Sequence, residues 1–274
     1  TGGTVTVTNS GTLFFAAAGD LNLDGAFTQN GAGAVNTSGD ITTTNDNISF
    51  ATAVTLQGSL SMNTGAGIGN ILFSSTLNGT TAGTENLTLT AGTGNVTFTG
   101  AAGGVTRLGI LTINSATDVT AAAITVASIN QTAGSGTTTL NRAVNTNAAA
   151  GVNLTGTNLA VNAAIDATAG GGTVTASQSN DTTVAANISS GGAMTFTADN
   201  DSSGAGSFNQ TAGIITTVPA NANITITSGS AAGGGNVTAT DVRAGTGTIA
   251  VNALSGAINE NGSDAAPDLT ATTI

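Results

Sequence analysis

The sequence predicts an all-β protein, a parallel β-solenoid (right-handed β-helix) of about 25 residues per coil. Three observations carry this expectation. Apolar and polar residues alternate strictly in short runs, the period-2 signature of strands with one buried and one wet face. Gly-, Asn- and Ser-rich stretches separate the runs. One short phrase recurs along the chain at commensurate spacing.

The strand runs include Val5-Thr-Val7-Thr8, Leu87-Thr-Leu89-Thr90, Val96-Thr-Phe98-Thr99, Met194-Thr-Phe196-Thr197 and Ile224-Thr-Ile226-Thr227. Their branched Thr, Val and Ile side chains suit a pleated surface. Alternation places Val5, Val7, Leu87, Leu89, Val96, Phe98, Phe196, Ile224 and Ile226 inward, with the intervening threonines outward. Turns fall at segments such as Gly65-Ala-Gly67, Gly170-Gly-Gly172 and Gly233-Gly-Gly235. The Ala-rich pieces 121–123 and 148–150 are too short, and too closely flanked by Thr and Gly, to nucleate helices.

The recurring phrase is Phe27-Thr-Gln-Asn-Gly31, Ile129-Asn-Gln-Thr-Ala-Gly134, Phe208-Asn-Gln-Thr-Ala-Gly213 and Ile258-Asn-Glu-Asn-Gly262. Its starts lie 102, 79 and 50 residues apart, which a common unit of about 25 residues divides into four, three and two. Gln29, Gln131, Gln210 and Glu260 are therefore expected at equivalent places on different coils. Such a unit cannot bury an apolar face alone, whereas stacked neighbours can. The alternative is an array of β-sandwich domains, whose short strands have similar spacing. Aromatic content of 3 %, with no Trp or Tyr, favours the narrower, layered solenoid core. Asn86, Asn95, Asn223 and Asn236, beside strand ends, are placed to form hydrogen-bonded ladders between coils. The whole of 1–274 reads as one continuous solenoid segment, expected to be an excerpt of a longer repeat protein because both termini look like mid-solenoid strands.

Composition excludes several kinds of chemistry. Without Cys or His, no disulfide or Cys/His metal scaffold is available. Catalysis by His, Cys, Lys or Tyr has no residue to use. A net charge of −11, with Arg107, Arg142 and Arg243 the only basic side chains, argues against nucleic acid. No apolar run is long enough for a spanning helix, so no membrane insertion is expected.

Two segments are weak calcium candidates, and no other cofactor is expected. Asp20-Leu-Asn22-Leu-Asp24-Gly25 matches the opening of a calcium loop, but its twelfth position is Gly31 where a bidentate Glu is needed. Asp199-Asn-Asp201 is the densest carboxylate pair. In both, a solvated turn is the simpler reading, and the tandem Gly-Gly-x-Gly-x-Asp calcium repeat is absent. The other acids, among them Asp118, Asp166, Asp181, Asp241, Asp264 and Asp268, are scattered along the chain, so no carboxylate dyad for glycoside hydrolysis is evident. No catalytic residue is assigned. The arginines are expected to pair with acids such as Asp118 or Asp241. Asn-x-Ser/Thr triplets abound, among them those beginning at Asn47, Asn86, Asn95, Asn153, Asn187, Asn223 and Asn236, and turn preference in a chain rich in Asn and Thr accounts for them.

Leu111-Thr-Ile-Asn-Ser-Ala-Thr-Asp-Val119, Ser128-Ile-Asn-Gln-Thr-Ala-Gly134 and Leu87-Thr-Leu-Thr-Ala-Gly-Thr-Gly-Asn-Val-Thr-Phe98 resemble the β-strand repeats of giant bacterial surface proteins, the filamentous-haemagglutinin-like and autotransporter-like adhesins. The resemblance is one of style and composition over most of the chain. It implies an exported, extracellular or cell-surface protein with a β-helical shaft and no catalytic motif. The function expected is a structural segment of a shaft, sheath or fibre, non-catalytic, extended by more of the same polypeptide or by end-to-end self-association. A matrix polysaccharide is the outside partner considered. The alternative is an adhesin segment that binds carbohydrate or protein, which a surface cluster of the eight Phe residues would favour; a buried column favours the shaft.

Overall fold

The structure is a computed structural model that describes residues 3–204, 206–229, 233–261 and 269–273. The chain is all-β, with parallel strands coiled into a β-solenoid of about 11 turns at roughly 23 residues per turn. Among the described residues the one helical element is a single 3-10 turn, Ala169–Gly171. Two compact units, Thr1–Gly136 and Thr137–Ile274, make up the chain.

Each coil has three short strands, one per face. In the N-terminal unit the first face stacks Val5–Val7, Phe27–Gln29, Ile48–Phe50, Ile71–Phe73, Val96–Phe98 and Val119–Ala121 in parallel. Register partners such as Ile48, Ile71 and Val96 lie directly over one another. The second face stacks Leu13–Phe15, Val35–Thr37, Val54–Leu56 and Leu77–Gly79. It continues through single bridges from Leu77 to Ala102 to Ile124. On the third face are Leu21–Asn22, Ile41–Thr42, Leu60–Asn63 and Leu87–Thr90. The later parts of Leu108–Ser115 and Ile124–Gln131, eight-residue strands that run through a corner, complete it.

The C-terminal unit has the same three-strand coil. Its first face begins Thr137–Leu140, Asn158–Val161, Thr182–Val184 and Phe208–Gln210, continuing to Ile258–Glu260. Its second face runs from Val144–Thr146 to Leu269–Thr270, and its third from Val152–Gly156 to Ile249–Ala253. Coils are not uniform. Successive first-face partners Thr182, Phe208, Val237 and Ile258 show that the extra residues fall in corner loops, which surface position leaves free to vary.

Alternation works as expected at seven of the nine inward positions. Leu87, Leu89, Val96, Phe98, Phe196, Ile224 and Ile226 are fully buried; between them Thr195 is exposed and Thr88, Thr97 and Thr225 are half-buried. Val5 and Val7 are only half-buried, because their strand lies at the edge of its sheet and pairs with Phe27–Gln29 alone. Phe27, Phe50, Phe73 and Phe98 form a column down the core, with ring centroids 5.3–5.5 Å apart and the last two contacts stacked within 6° and 3° of parallel. Phe196 and Phe208 pair at 5.3 Å in the C-terminal unit.

The repeat phrase is corrected in one place. Gln29 ends a first-face strand of the N-terminal unit, but Gln131 ends a third-face strand, opposite Ile113. Gln210 and Glu260 do share the first face of the C-terminal unit, two coils apart. The phrase marks a local job, the inward amide that closes a strand end, and that job arises on more than one face. Gln29, Gln131 and Gln210 are all buried, while Glu260 is exposed. Gly262, Asp264 and Asp268 lie outside the described residues.

Candidate functional site

Three corners per coil leave backbone N–H groups that no strand ladder can satisfy, and each needs a partner. The residue just before a strand supplies it. Asn47 Oδ1 accepts the N–H of Asn70 at 2.8 Å; Asn70 Oδ1 accepts that of Asn95 at 2.8 Å; Asn95 Oδ1 accepts that of Asp118 at 2.9 Å. The three bonds climb one corner of the N-terminal unit, one rung per coil. A second ladder there uses Asp20 Oδ1 to Asp40 N–H at 2.9 Å and Asp40 Oδ1 to Ser61 N–H at 2.7 Å. Asn86 Oδ1 accepts from Ile110 at 2.7 Å.

The C-terminal unit repeats the device through Asn158, Asp181, Ser207 and Asn236, each side-chain oxygen accepting from the next coil at 2.9–3.2 Å. Asn187 and Asn223 act likewise toward Ile214 and Thr248, at 2.9 Å each. All four asparagines singled out for ladders, Asn86, Asn95, Asn223 and Asn236, are rungs. Asn47, Asn86, Asn95, Asn187, Asn223 and Asn236, each of which begins an Asn-x-Ser/Thr triplet, carry a rung with Oδ1.

A second set of polar groups points inward at strand ends and closes the turns. Gln29 Nε2 donates to Gly31 O at 3.0 Å, Gly33 O at 3.2 Å and Asn9 Oδ1 at 2.7 Å. Its Oε1 accepts from Ala51 N at 3.1 Å and from Thr52. Gln210 does the same for Gly213 O, Asp241 O and Thr240 N. Thr64, Thr217 and Ser228 hydroxyls donate to Gly69, Ala222 and Gly206 carbonyls at 2.8, 2.7 and 2.9 Å. Gln178 also faces inward and donates to Leu154 O at 2.9 Å. Sequence reasoning missed its role, and the available signal was a Gln at the end of an alternating run.

The calcium candidates separate on this background. Asp20 is a ladder rung. Asn22 faces outward from a two-residue strand beside Thr42, and Asp24 is exposed in the shallow depression they share with Leu23 and Thr44. Asp199 is buried at φ 63° and staples its own loop, accepting from Gly204 N–H at 2.9 Å and Ser203 Oγ at 3.1 Å. Burial pushes its carboxyl up, but these bonds outweigh that and hold it below the usual range. Asp201 is exposed and accepts the N–H of Ser203 at 3.1 Å. Among the described residues no three His, Cys, Asp or Glu side chains converge as metal ligands.

Glu85 is a buried carboxylate with no obvious sequence signal. It accepts Thr80 Oγ1 at 2.7 Å and Thr81 N–H at 3.0 Å; burial raises its pKa, and these bonds bring it below the ordinary value. Arg243 makes a two-pronged ion pair with Asp241, Nε to Oδ1 at 2.7 Å, which holds the guanidinium above its ordinary pKa. Arg107 donates to the carbonyl of Val126 at 2.6 Å. Asp166 accepts from Thr168 Oγ1 at 2.6 Å and from Asn145. The acids therefore serve the backbone and its loops. The sequence matches no protein-family model, and neither a curated protein nor a solved structure matches the chain.

Proposed function

We propose that the chain is a structural segment of an extracellular, cell-surface bacterial protein: part of a shaft, sheath or fibre, with no catalytic role. The observation that carries this reading is the placement of the aromatics. Phe27, Phe50, Phe73 and Phe98 are spent inside the core, and Phe14 alone is strongly exposed, at 61 %. Interfaces with carbohydrate or protein usually centre on clustered aromatic or Arg anchors. The hydrogen bonds of the corners support the same reading, because they place polar side chains, carboxylates included, on the neighbouring coil.

On this reading the coil-on-coil ladder is lengthened by more of the same polypeptide or by end-to-end stacking of identical chains. The resemblance to filamentous-haemagglutinin-like and autotransporter-like repeats motivates the bacterial surface. Absence of Cys and only two Met residues leave little to oxidise outside the cell. Negative-stain imaging of cells labelled with antibody against the chain tests it. Label on fibres, sheath or projections outside the cell is expected; label confined to the cytoplasm would overturn the proposal.

A further inference from the structure

We propose that Asn30 is a site of spontaneous, water-dependent deamidation, and that the fold selects it over the same dipeptide at Asn78. Three Asn-Gly pairs occur: Asn30-Gly31, Asn78-Gly79 and Asn261-Gly262, with Gly262 outside the described residues. Glycine offers the least hindered backbone nitrogen for attack on the preceding side-chain amide, because it lacks Cβ. In the reaction the Gly31 nitrogen attacks Asn30 Cγ. An N–Cγ bond forms, the Cγ–Nδ2 bond breaks, and ammonia leaves with the proton lost by Gly31. Water then opens the cyclic imide at either carbonyl, leaving aspartate or isoaspartate. The net change is amide plus water to carboxylate plus ammonia, with no redox step.

The two described pairs differ in what holds them. The Gly79 N–H donates to Thr106 O at 3.2 Å, and Asn78 Oδ1 accepts from Val105 N at 2.9 Å and Thr106 N at 3.3 Å. Asn78 also sits inside the strand Leu77–Gly79, so its attack geometry requires the sheet to open locally. At the other pair, no hydrogen bond joins the Gly31 N–H or the Asn30 carbonyl to any described residue. The attacking nitrogen therefore has no hydrogen bond to break, although the flanking Asn30 N–H is held by Val7 O at 3.0 Å and Gly31 O by Gln29 Nε2 at 3.0 Å. Thr8 Oγ1 lies 2.6 Å from Asn30 Oδ1 and donates to it. That oxygen gains negative charge as the nitrogen adds, and a donor aimed at it lowers the barrier; Asn78 Oδ1 also has donors, so the selection rests on the hydrogen bond and strand that hold the Gly79 nitrogen. Asn30 itself is exposed, which supplies the water.

The test is peptide mapping by mass spectrometry of the full chain held in mildly alkaline buffer. In the folded chain, conversion at Asn30 is expected at least about tenfold faster than at Asn78, reflecting the opening that the strand must undergo. In denaturant the two rates should converge. Thr8→Val should slow Asn30 a few-fold while leaving Asn78 unchanged, as loss of one hydrogen bond implies. Gly31→Ala is unsuitable, because a Cβ there would sit 2.1 Å from the backbone of Asn9. Equal native rates at the two sites, or faster conversion at Asn78, would overturn the proposal. An unchanged rate in Thr8→Val would remove Thr8 from it.

Discussion

Asn70 shows what a single corner residue does. Its Oδ1 holds the N–H of Asn95, while its own N–H is held by Asn47. Asn70→Ala leaves the Asn95 N–H without its partner and should cost about 1–3 kcal/mol, read as a lower urea midpoint at unchanged slope. Asn70→Asp keeps the acceptor and should recover most of the loss, since Asp20, Asp40 and Asp181 already fill equivalent roles. Buried carboxylates make the fold acid-sensitive in a definite direction. Glu85 and Asp199 have folded pKa values below 4.5 and 3.8. The unfolded chain therefore takes up protons first as pH falls, and the stability these groups contribute above 4.5 is lost through and below that region. Midpoints measured against pH should decline there, and Glu85→Gln should flatten part of the decline; a midpoint indifferent to acid would contradict the assignment.

At the scale of the strand, the sequence made the inward set readable because the side-chain period of two needs no tertiary knowledge. Leu87, Leu89, Val96 and Phe98 follow from it directly. What it could not reveal was which face a phrase occupies. Ile129-Asn-Gln131 looks like Phe27-Thr-Gln29, yet the eight-residue strand 124–131 carries it onto the third face. Corner length, not strand chemistry, sets that phase, and loops vary freely. Glu85 and Gln178 were illegible for a related reason: their burial depends on how a loop folds back on its coil. The candidate calcium residues matched a local pattern whose oxygens the fold uses elsewhere, Asp20 as a rung and Asp199 as a loop staple. The aromatic column gives a sharp contrast for mutation. Phe73 stacks on both Phe50 and Phe98, so Phe73→Ala should cost about 3–5 kcal/mol through lost transfer energy and a cavity. Phe14→Ser, at an exposed position, should stay within about 0.5 kcal/mol, and a comparable loss there would mean the column is misplaced.

For the molecule as a whole, the account rests on in-register coils: each face is a parallel ladder whose neighbours are consecutive coils. The same ladder underlies the buried aromatics, the corner rungs and the proposed structural role. The chain has no cysteine, so engineered pairs report without background. Ser49 and Leu72 are outward register partners on adjacent first-face strands, and Thr97 is the next partner beyond Leu72. Adjacent strands lie about 4.8 Å apart, inside the reach of a disulfide, whereas two steps give about 10 Å, outside it. The decisive measurement is oxidative cross-linking of the full chain carrying Ser49→Cys with Leu72→Cys, against Ser49→Cys with Thr97→Cys. The coiled arrangement predicts rapid intramolecular bonding in the first pair and none in the second. No bond in the first pair, or a bond in the second, would contradict it.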